Sequence, residues 1–312
     1  MRLVFTILIF IFSAVALKAQ DYPRDTSYNI YSAYLKLKKH NPEVTPIEPF
    51  NYKNIRENYN VPYVDVGREL TVDVFYPLDN SKQYPAVLLI FGGGWSSGEK
   101  ANQVPMAQSL AKAGYVAVVP DYRLSPEIAY PAGVHDLKAA IRWMRANSSD
   151  YQIDTTQIAV LGCSAGAQLA TLLGVTGDLP QLEGEEGDLN HSSSVQAIVN
   201  IDGIVSFIHP EAEEGKYAAK WLGGYKDEVP EVWKEASPLE YVDESTPPTL
   251  FINSAQPRFH AGRDDMLSIL NKHEIFNQTH TLPDSPHSFW LVHPWFEPTL
   301  KYTVEFLDHV FK

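Results

Sequence analysis

Cysteine is almost absent. Cys163 stands alone among 312 residues, which excludes an internal disulfide and leaves the chain to be held together by its core. Positive charge is also scarce: 25 Lys and Arg against 38 Asp and Glu leave a net charge of −13, with no long basic run. That balance argues against nucleic acid as a partner, and an acidic ligand would have to be read by a local cationic cluster. No metal-ligand spacing and no nucleotide loop is present, so neither metal nor cofactor is implied. Internal repeats, low-complexity tracts and a linker that would divide domains are all missing. Beyond the N-terminus, no segment reaches the roughly 18 apolar residues of a spanning helix.

The N-terminus is the exception. "MRLVFTILIFIFSAVALKAQ" places Arg2 before an apolar run from Leu3 to Leu17 and then small residues, the layout of a cleaved secretory signal over residues 1–19. The alternative is a membrane anchor, for which the run is short against a span of ~20 residues. With no cysteine near the junction, a lipoprotein is disfavoured. The expectation is an exported protein, periplasmic or extracellular, with no membrane attachment after cleavage; its oligomeric state is not legible.

What is present is core-forming: 45% hydrophobic residues, with 22 prolines and 17 tyrosines. Residues 20–60 are polar with weak periodicity and read as an arm or short helix, and the domain proper is taken as 61–312. There "VPYVDVGRELTVDVFYP" alternates like a pair of edge strands. "YPAVLLIFGGGW", "GYVAVVPDYRL", "QIAVLG", "VQAIVNIDG", "TLFINS" and "QTHTLP" supply further strands. Helical patterns fall between them at roughly 102–113, 133–147, 165–174, 262–272 and 298–311. Strand and helix alternate, so the fold class is α/β, a mostly parallel twisted sheet with helices on both faces. Residues 208–247, after the sixth strand, exceed what a connection needs and read as a helical insertion, a lid or substrate wall.

"AVLGCSAGAQLATLLG" is the most informative stretch. A strand runs into Gly162-Cys163-Ser164-Ala165-Gly166 and at once into an Ala/Leu-rich helix. This G-x-S-x-G pattern needs small residues because the serine sits on a sharp turn where bulky neighbours collide. The turn aims a helix N-terminus at the serine, where the Ala165 amide meets a developing oxyanion. Gly92, Gly93 and Gly94 in "LLIFGGGWSSGEK" let other amides approach without Cβ obstruction.

With those pieces in view, the chain resembles the α/β-hydrolase superfamily, in particular the secreted carbohydrate-esterase and feruloyl-esterase-like branch related to hormone-sensitive lipase. "FGGGW", "PDYRLSPE", "YPAGVHDLKAAIRW", "GCSAG", "WLGG" followed by "EASPLEYV", and "PPTLFINS" carry the resemblance from Val61 onward. It implies the α/β-hydrolase fold, Ser164 as nucleophile, an oxyanion hole from Gly93, Gly94 and Ala165, and a structural ion network of Asp121, Arg123 and Asp136. One departure is Phe91, where relatives carry a histidine that braces the glycine loop.

A serine esterase needs an imidazole, which in this superfamily comes after the final strand. His287, in a turn soon after that strand, is preferred over His293 and His309. The carboxylate that orients it is expected just past "TLFINS", where the sequence reads Ala255, Gln256, Pro257, Arg258, and none is acidic. Asp264 leads the replacements, with Asp202 second and Asp265 as a further alternative. Arg258, His260 and Arg263 crowd the same loop, where arginine forks would bind a carboxylate. They are assigned to substrate, a uronic acid, with Trp95 as a sugar-stacking face; their alternative is pairing with nearby acids. The leading function is removal of acyl or methyl esters from plant cell-wall polysaccharide, pectin among the candidates, through an acyl-enzyme on Ser164. A general carboxylesterase or short-chain lipase, and a non-catalytic hydrolase-fold binding protein, are the alternatives.

Overall fold

The structure is a computed structural model that describes residues 24–125 and 127–312; the signal-like segment 1–19 lies outside the described residues. An eight-stranded sheet forms the centre. Its strands are β1 (Ile55–Asp65), β2 (Glu69–Pro77), β3 (Tyr84–Ile90), β4 (Val116–Pro120), β5 (Ile153–Cys163), β6 (Ala197–Ile201), β7 (Thr249–Asn253) and β8 (Asn277–Thr281). They lie in the order β1-β2-β4-β3-β5-β6-β7-β8. β1 pairs antiparallel with β2, and β2 with β4; every other pairing is parallel. The central strands are apolar throughout because both faces are covered. Along β3, Ala86, Leu88 and Ile90 enter the core on one face, and Val87 and Leu89 enter the core on the other.

The helices supply the two covers. α1 is Ile30–Leu37, α2 Val104–Lys112, α3 Ala132–Ala146, α4 the single turn Ser148–Tyr151 and α5 Ala165–Val175. α6 (Gly215–Leu222), α7 (Pro230–Glu235), α8 (Arg263–Lys272) and α9 (Phe296–Phe311) follow. α3 and α5 pack on the first face through Leu137, Ile141, Leu169 and Leu172. α2 and α9 pack on the second through Leu110, Phe306 and Leu307. This is the α/β-hydrolase arrangement read from the sequence.

The sheet begins earlier than the alternation implied. β1 starts at Ile55, and its polar residues face solvent at the sheet edge, which hides the period-2 pattern. The arm before it is also structured. Asn29 caps α1 reciprocally with Ser32, each side-chain oxygen accepting from the other's backbone N–H at 2.9 Å. Leu37 and Val44 then pack on Val292, and Thr45–Pro46 pairs with Val292–His293.

Residues 208–247 form α6, α7 and a 3₁₀ turn at Pro238–Tyr241. An aromatic cluster anchors this insertion: Trp221 stacks on Trp95 at 5.3 Å, and Phe207 meets Trp233 edge-on at 6.0 Å. Among the described residues, no helix is long and apolar enough to cross a membrane.

Candidate active site

Ser164 sits at the tip of β5 with φ 55° and ψ −122°. Its N–H donates to Ile201 O at 2.9 Å, which ties the turn to the end of β6. The turn closes only with small neighbours: a Cβ on Gly162 would lie 1.9 Å from Gly166 O. This is the strained strand-to-helix corner that the G-x-S-x-G spacing requires. Cys163 lies beneath it, buried, and burial pushes its thiol up to about 12. A thiol so protonated is a packing group and no nucleophile.

His287 Nε2 stands 2.8 Å from Ser164 Oγ. His287 Nδ1 stands 2.7 Å from Asp202 Oδ2, so the serine, imidazole and carboxylate form one continuous chain. Burial acts to raise the Asp202 carboxyl, yet the contacts from His260 and His287 and the Ser254 N–H hold it at about 2. It is therefore ionised and accepts from Nδ1–H, leaving Nε2 free to accept the serine hydroxyl. Burial lowers the His287 imidazole below its ordinary 6.5 despite the Asp202 charge, so the ring is neutral at pH 7. His293 instead faces Glu297, 2.5 Å away, and His309 packs on Phe276.

The acid is thus Asp202, at the end of β6, and the leading assignment to Asp264 is corrected. Asp264 lies on the first turn of α8, its side chain 81% exposed and engaged by Arg263 at 2.8 Å. Asp265, 62% exposed, faces His209. Both serve as acidic residues at a helix N-terminus and neither approaches His287.

The glycine loop meets the serine from the tip of β3. Gly93 has φ +131°, and a Cβ there would lie 1.9 Å from Ser97 O, so only glycine closes this loop. Among the described residues, no hydrogen bond uses the amides of Gly93, Gly94 or Ala165, and all three residues border the cavity beside Ser164. The bracing absent with histidine comes from an aromatic pair. Phe91 stacks on Tyr122 at 4.5 Å, and Tyr122 Oη donates to Phe91 O at 2.9 Å.

The substrate assignments divide. Arg258 borders the cavity with its side chain half exposed and Glu213 3.8 Å away. Arg263 does not reach the cavity; it is consumed by Asp264 and by Asn253 Oδ1, both at 2.8 Å. His260 lies behind the triad, 3.3 Å from Asp202 Oδ1. Trp95 borders the cavity too, but its ring is buried against Trp221, and its Nε1–H donates to Gln168 at 2.8 Å. No face of that ring is free for a sugar. Trp221 and Trp290 are likewise buried. The single ion network expected of Asp121, Arg123 and Asp136 is two clusters: Arg123 grips Asp136 at 2.7 Å and reaches Glu186 at 3.0 Å, while Asp121 pairs instead with Arg24 and with Arg68, the latter at 2.9 Å.

The cavity above Ser164 measures about 1310 Å³. The insertion forms one wall through Tyr217, whose ring carbon lies 3.6 Å from the place a Cβ on Gly94 would occupy. The arm forms another, through Tyr28, Ser32, Lys36 and His40. Sequence reasoning missed this wall. Only Ser32 and Lys36, four residues apart within α1, share a helical face; Tyr28 and His40 flank the helix and left no periodic signal. Phe259, stacked on His287 at 3.5 Å, left no signal, because nothing local shows which ring a phenylalanine will cover. Among the described residues, no three His, Cys, Asp or Glu side chains gather as a metal site.

The sheet order and the Ser164–His287–Asp202 chain define the class: this is an α/β-hydrolase fold with a serine, histidine and aspartate joined at its carboxyl edge. The BD-FAE family model matches residues 72–259, more than half of the chain, which therefore belongs to that family. Its curated relatives include Esterase LipC of Mycobacterium tuberculosis, 34% identical over 184 residues that cover 56% of this chain and 45% of LipC. Esterase LipQ of the same organism is 28% identical over 201 residues, covering 61% and 46%. The chain spans about half the length of these relatives. Among solved structures, a truncated carbohydrate esterase from gut microbiota aligns with TM-score 0.70 at 22% identity, covering 85% of this chain and all of that one. A bifunctional GH43-CE protein of Bacteroides eggerthii aligns with TM-score 0.72 at 25% identity, covering 85% and 39%.

Proposed function

We propose that the protein is a serine esterase acting on acylated carbohydrate. The observation that carries the reading is the unbroken Ser164–His287–Asp202 chain at 2.8 and 2.7 Å. Ser164 Oγ attacks the ester carbonyl while its proton passes to His287 Nε2. The amides of Gly93, Gly94 and Ala165 hold the oxyanion of the tetrahedral intermediate. His287 returns the proton to the departing alkoxide, the acyl group stays on Ser164, and a water deprotonated by His287 then releases it as the acid. Asp202 holds the ring in the required tautomer throughout.

The carbohydrate part rests on the large cavity, which Ser32, Lys36, His40 and Arg258 border, and on the fold-level likeness to carbohydrate esterases. Plant cell-wall polysaccharide, pectin among them, is the substrate class proposed, with Arg258 meeting a uronate carboxylate at the cavity border. The N-terminal sequence "MRLVFTILIFIFSAVALKAQ" supports export, periplasmic or extracellular. A general carboxylesterase is the second reading, favoured by the relatives named as esterases. Acetate and methanol release from acetylated, methylated pectin and from acetylated xylan, by the chain and its Ser164→Ala variant, separates the two. Serine-dependent release is expected. Hydrolysis of aryl acetates alone would leave the general carboxylesterase.

A further inference from the structure

The loop after β7 lacks the acid that was expected there, and its 3₁₀ turn Pro257–His260 places two side chains on the relocated triad instead. Phe259 lies flat on the His287 imidazole, centroids 3.5 Å apart and planes 11° apart. Trp290 meets that imidazole edge-on at 5.1 Å, so the ring is bounded from two directions. His260 lies behind the acid. Asp202 Oδ1 accepts from the Ser254 N–H at 2.7 Å, and His260 Nε2 approaches the same oxygen at 3.3 Å. That nitrogen is buried and has no aligned acceptor of its own, so Asp202 is the acceptor it faces.

The other face of His260 settles its tautomer. Arg263 Nη1 stands 3.2 Å from His260 Nδ1, and a guanidinium only donates. Nδ1 is then the accepting nitrogen, and the donating N–H is Nε2–H, aimed at Asp202. Arg263 is itself fixed by Asn253 and Asp264, both at 2.8 Å. The polar chain therefore runs Arg263, His260, Asp202, His287, Ser164.

We propose that His260 and Phe259 are positioning residues for this reaction, a clamp in which His260 donates to the second oxygen of Asp202 and Phe259 fixes the plane of His287. The inference rests on the esterase reading above. Without His260, the Asp202 charge is shared among fewer donors and holds the imidazolium more firmly. Without Phe259, water reaches the ring and its burial is relieved. Both losses move the His287 titration upward. The charged groups acting on His287 are Asp202, Arg258 and Lys36, and those facing His260 are Asp202 and Arg263. Arg258 lies over the Phe259 ring at 4.3 Å, so Phe259→Ala also frees this cation, which acts in the same upward direction on His287 if it moves away.

The test combines histidine ¹⁵N shifts against pH with kcat and KM for 4-nitrophenyl acetate. It compares the purified chain with His260→Ala, His260→Gln, Phe259→Ala and Phe259→Tyr. The expected result is an Nε2–H tautomer for His260 and a His287 midpoint raised by about half a pH unit or more in both alanine variants. With it, kcat falls roughly tenfold or more while KM stays put, and the conservative variants His260→Gln and Phe259→Tyr recover most of the rate. An Nδ1–H tautomer, or an unmoved His287 midpoint in the alanine variants, would overturn the clamp. So would a raised KM at unchanged kcat, which marks substrate contacts. Should the alanine variants fail to fold, His260→Asn and Phe259→Leu take their place, and an unmoved His287 midpoint in both overturns the clamp equally. If the wild-type chain cleaves no ester, the esterase reading falls, while the tautomer and the titrations still decide the clamp.

Discussion

At Asp202 the chain shows how strand tips substitute for sequence position. β6 and β7 are neighbours in the sheet, so a carboxylate at the end of either reaches the same imidazole, though Asp202 and His287 stand 85 residues apart. The glycine-flanked serine was legible because the strain of its turn is written in adjacent residues. His287 was legible because its place follows the last strand. The acid was not, since either strand tip could supply it and only packing chose between them. The pH dependence belongs at this scale. His287 must be neutral to act, and its titration lies below 6.5; activity therefore rises with pH through that lower midpoint and is already near its plateau at pH 7. A profile of kcat/KM against pH is expected to show its acid limb centred below 6.5, and a limb above that value would contradict the burial argument.

Among the elements, the buried strands and the helices between them follow from apolar runs and 3.6-residue periods, and their bounds agree with the sequence reading to within a few residues. Connections were less legible. The segment after α5 carries Glu183, which pairs at once with Lys138 and Arg142 of α3 at 2.5 and 2.6 Å. Both cations are buried, with side-chain exposures of 0% and 1%, so one carboxylate compensates two charges. Removing a single partner from such a site costs about 3–5 kcal/mol, because the remaining charges are left without a counterion. Glu183→Gln is expected to lower the unfolding temperature by on the order of 10 °C, read by calorimetry, while the rate per folded molecule is retained. An unchanged melting curve would show that water already screens the pair.

For the whole molecule, the arm is the part least visible in sequence, because its burial comes from distant segments rather than from its own periodicity. The Asp25 carbonyl accepts the Gly98 N–H at 2.9 Å, which ties the arm to the glycine loop. Tyr28 Oη meets Ser288 Oγ at 2.9 Å, next to His287. The arm thus ties down the glycine loop and the His287 turn and walls the cavity. A chain beginning at Asn51 is expected to melt lower and to lose most hydrolysis of 4-nitrophenyl acetate, since Val292 and the loops lose their cover. Retained stability and rate would reduce the arm to a spectator.

The most direct test is kcat/KM for an aryl acetate in four proteins: wild type, Ser164→Ala, Asp202→Asn and Asp264→Asn. Ser164→Ala is expected to abolish turnover, Asp202→Asn to lower it by roughly 10²–10⁴-fold through loss of the correct imidazole tautomer, and Asp264→Asn to leave it within about twofold. Loss in Asp264→Asn with retention in Asp202→Asn would contradict the triad as built here.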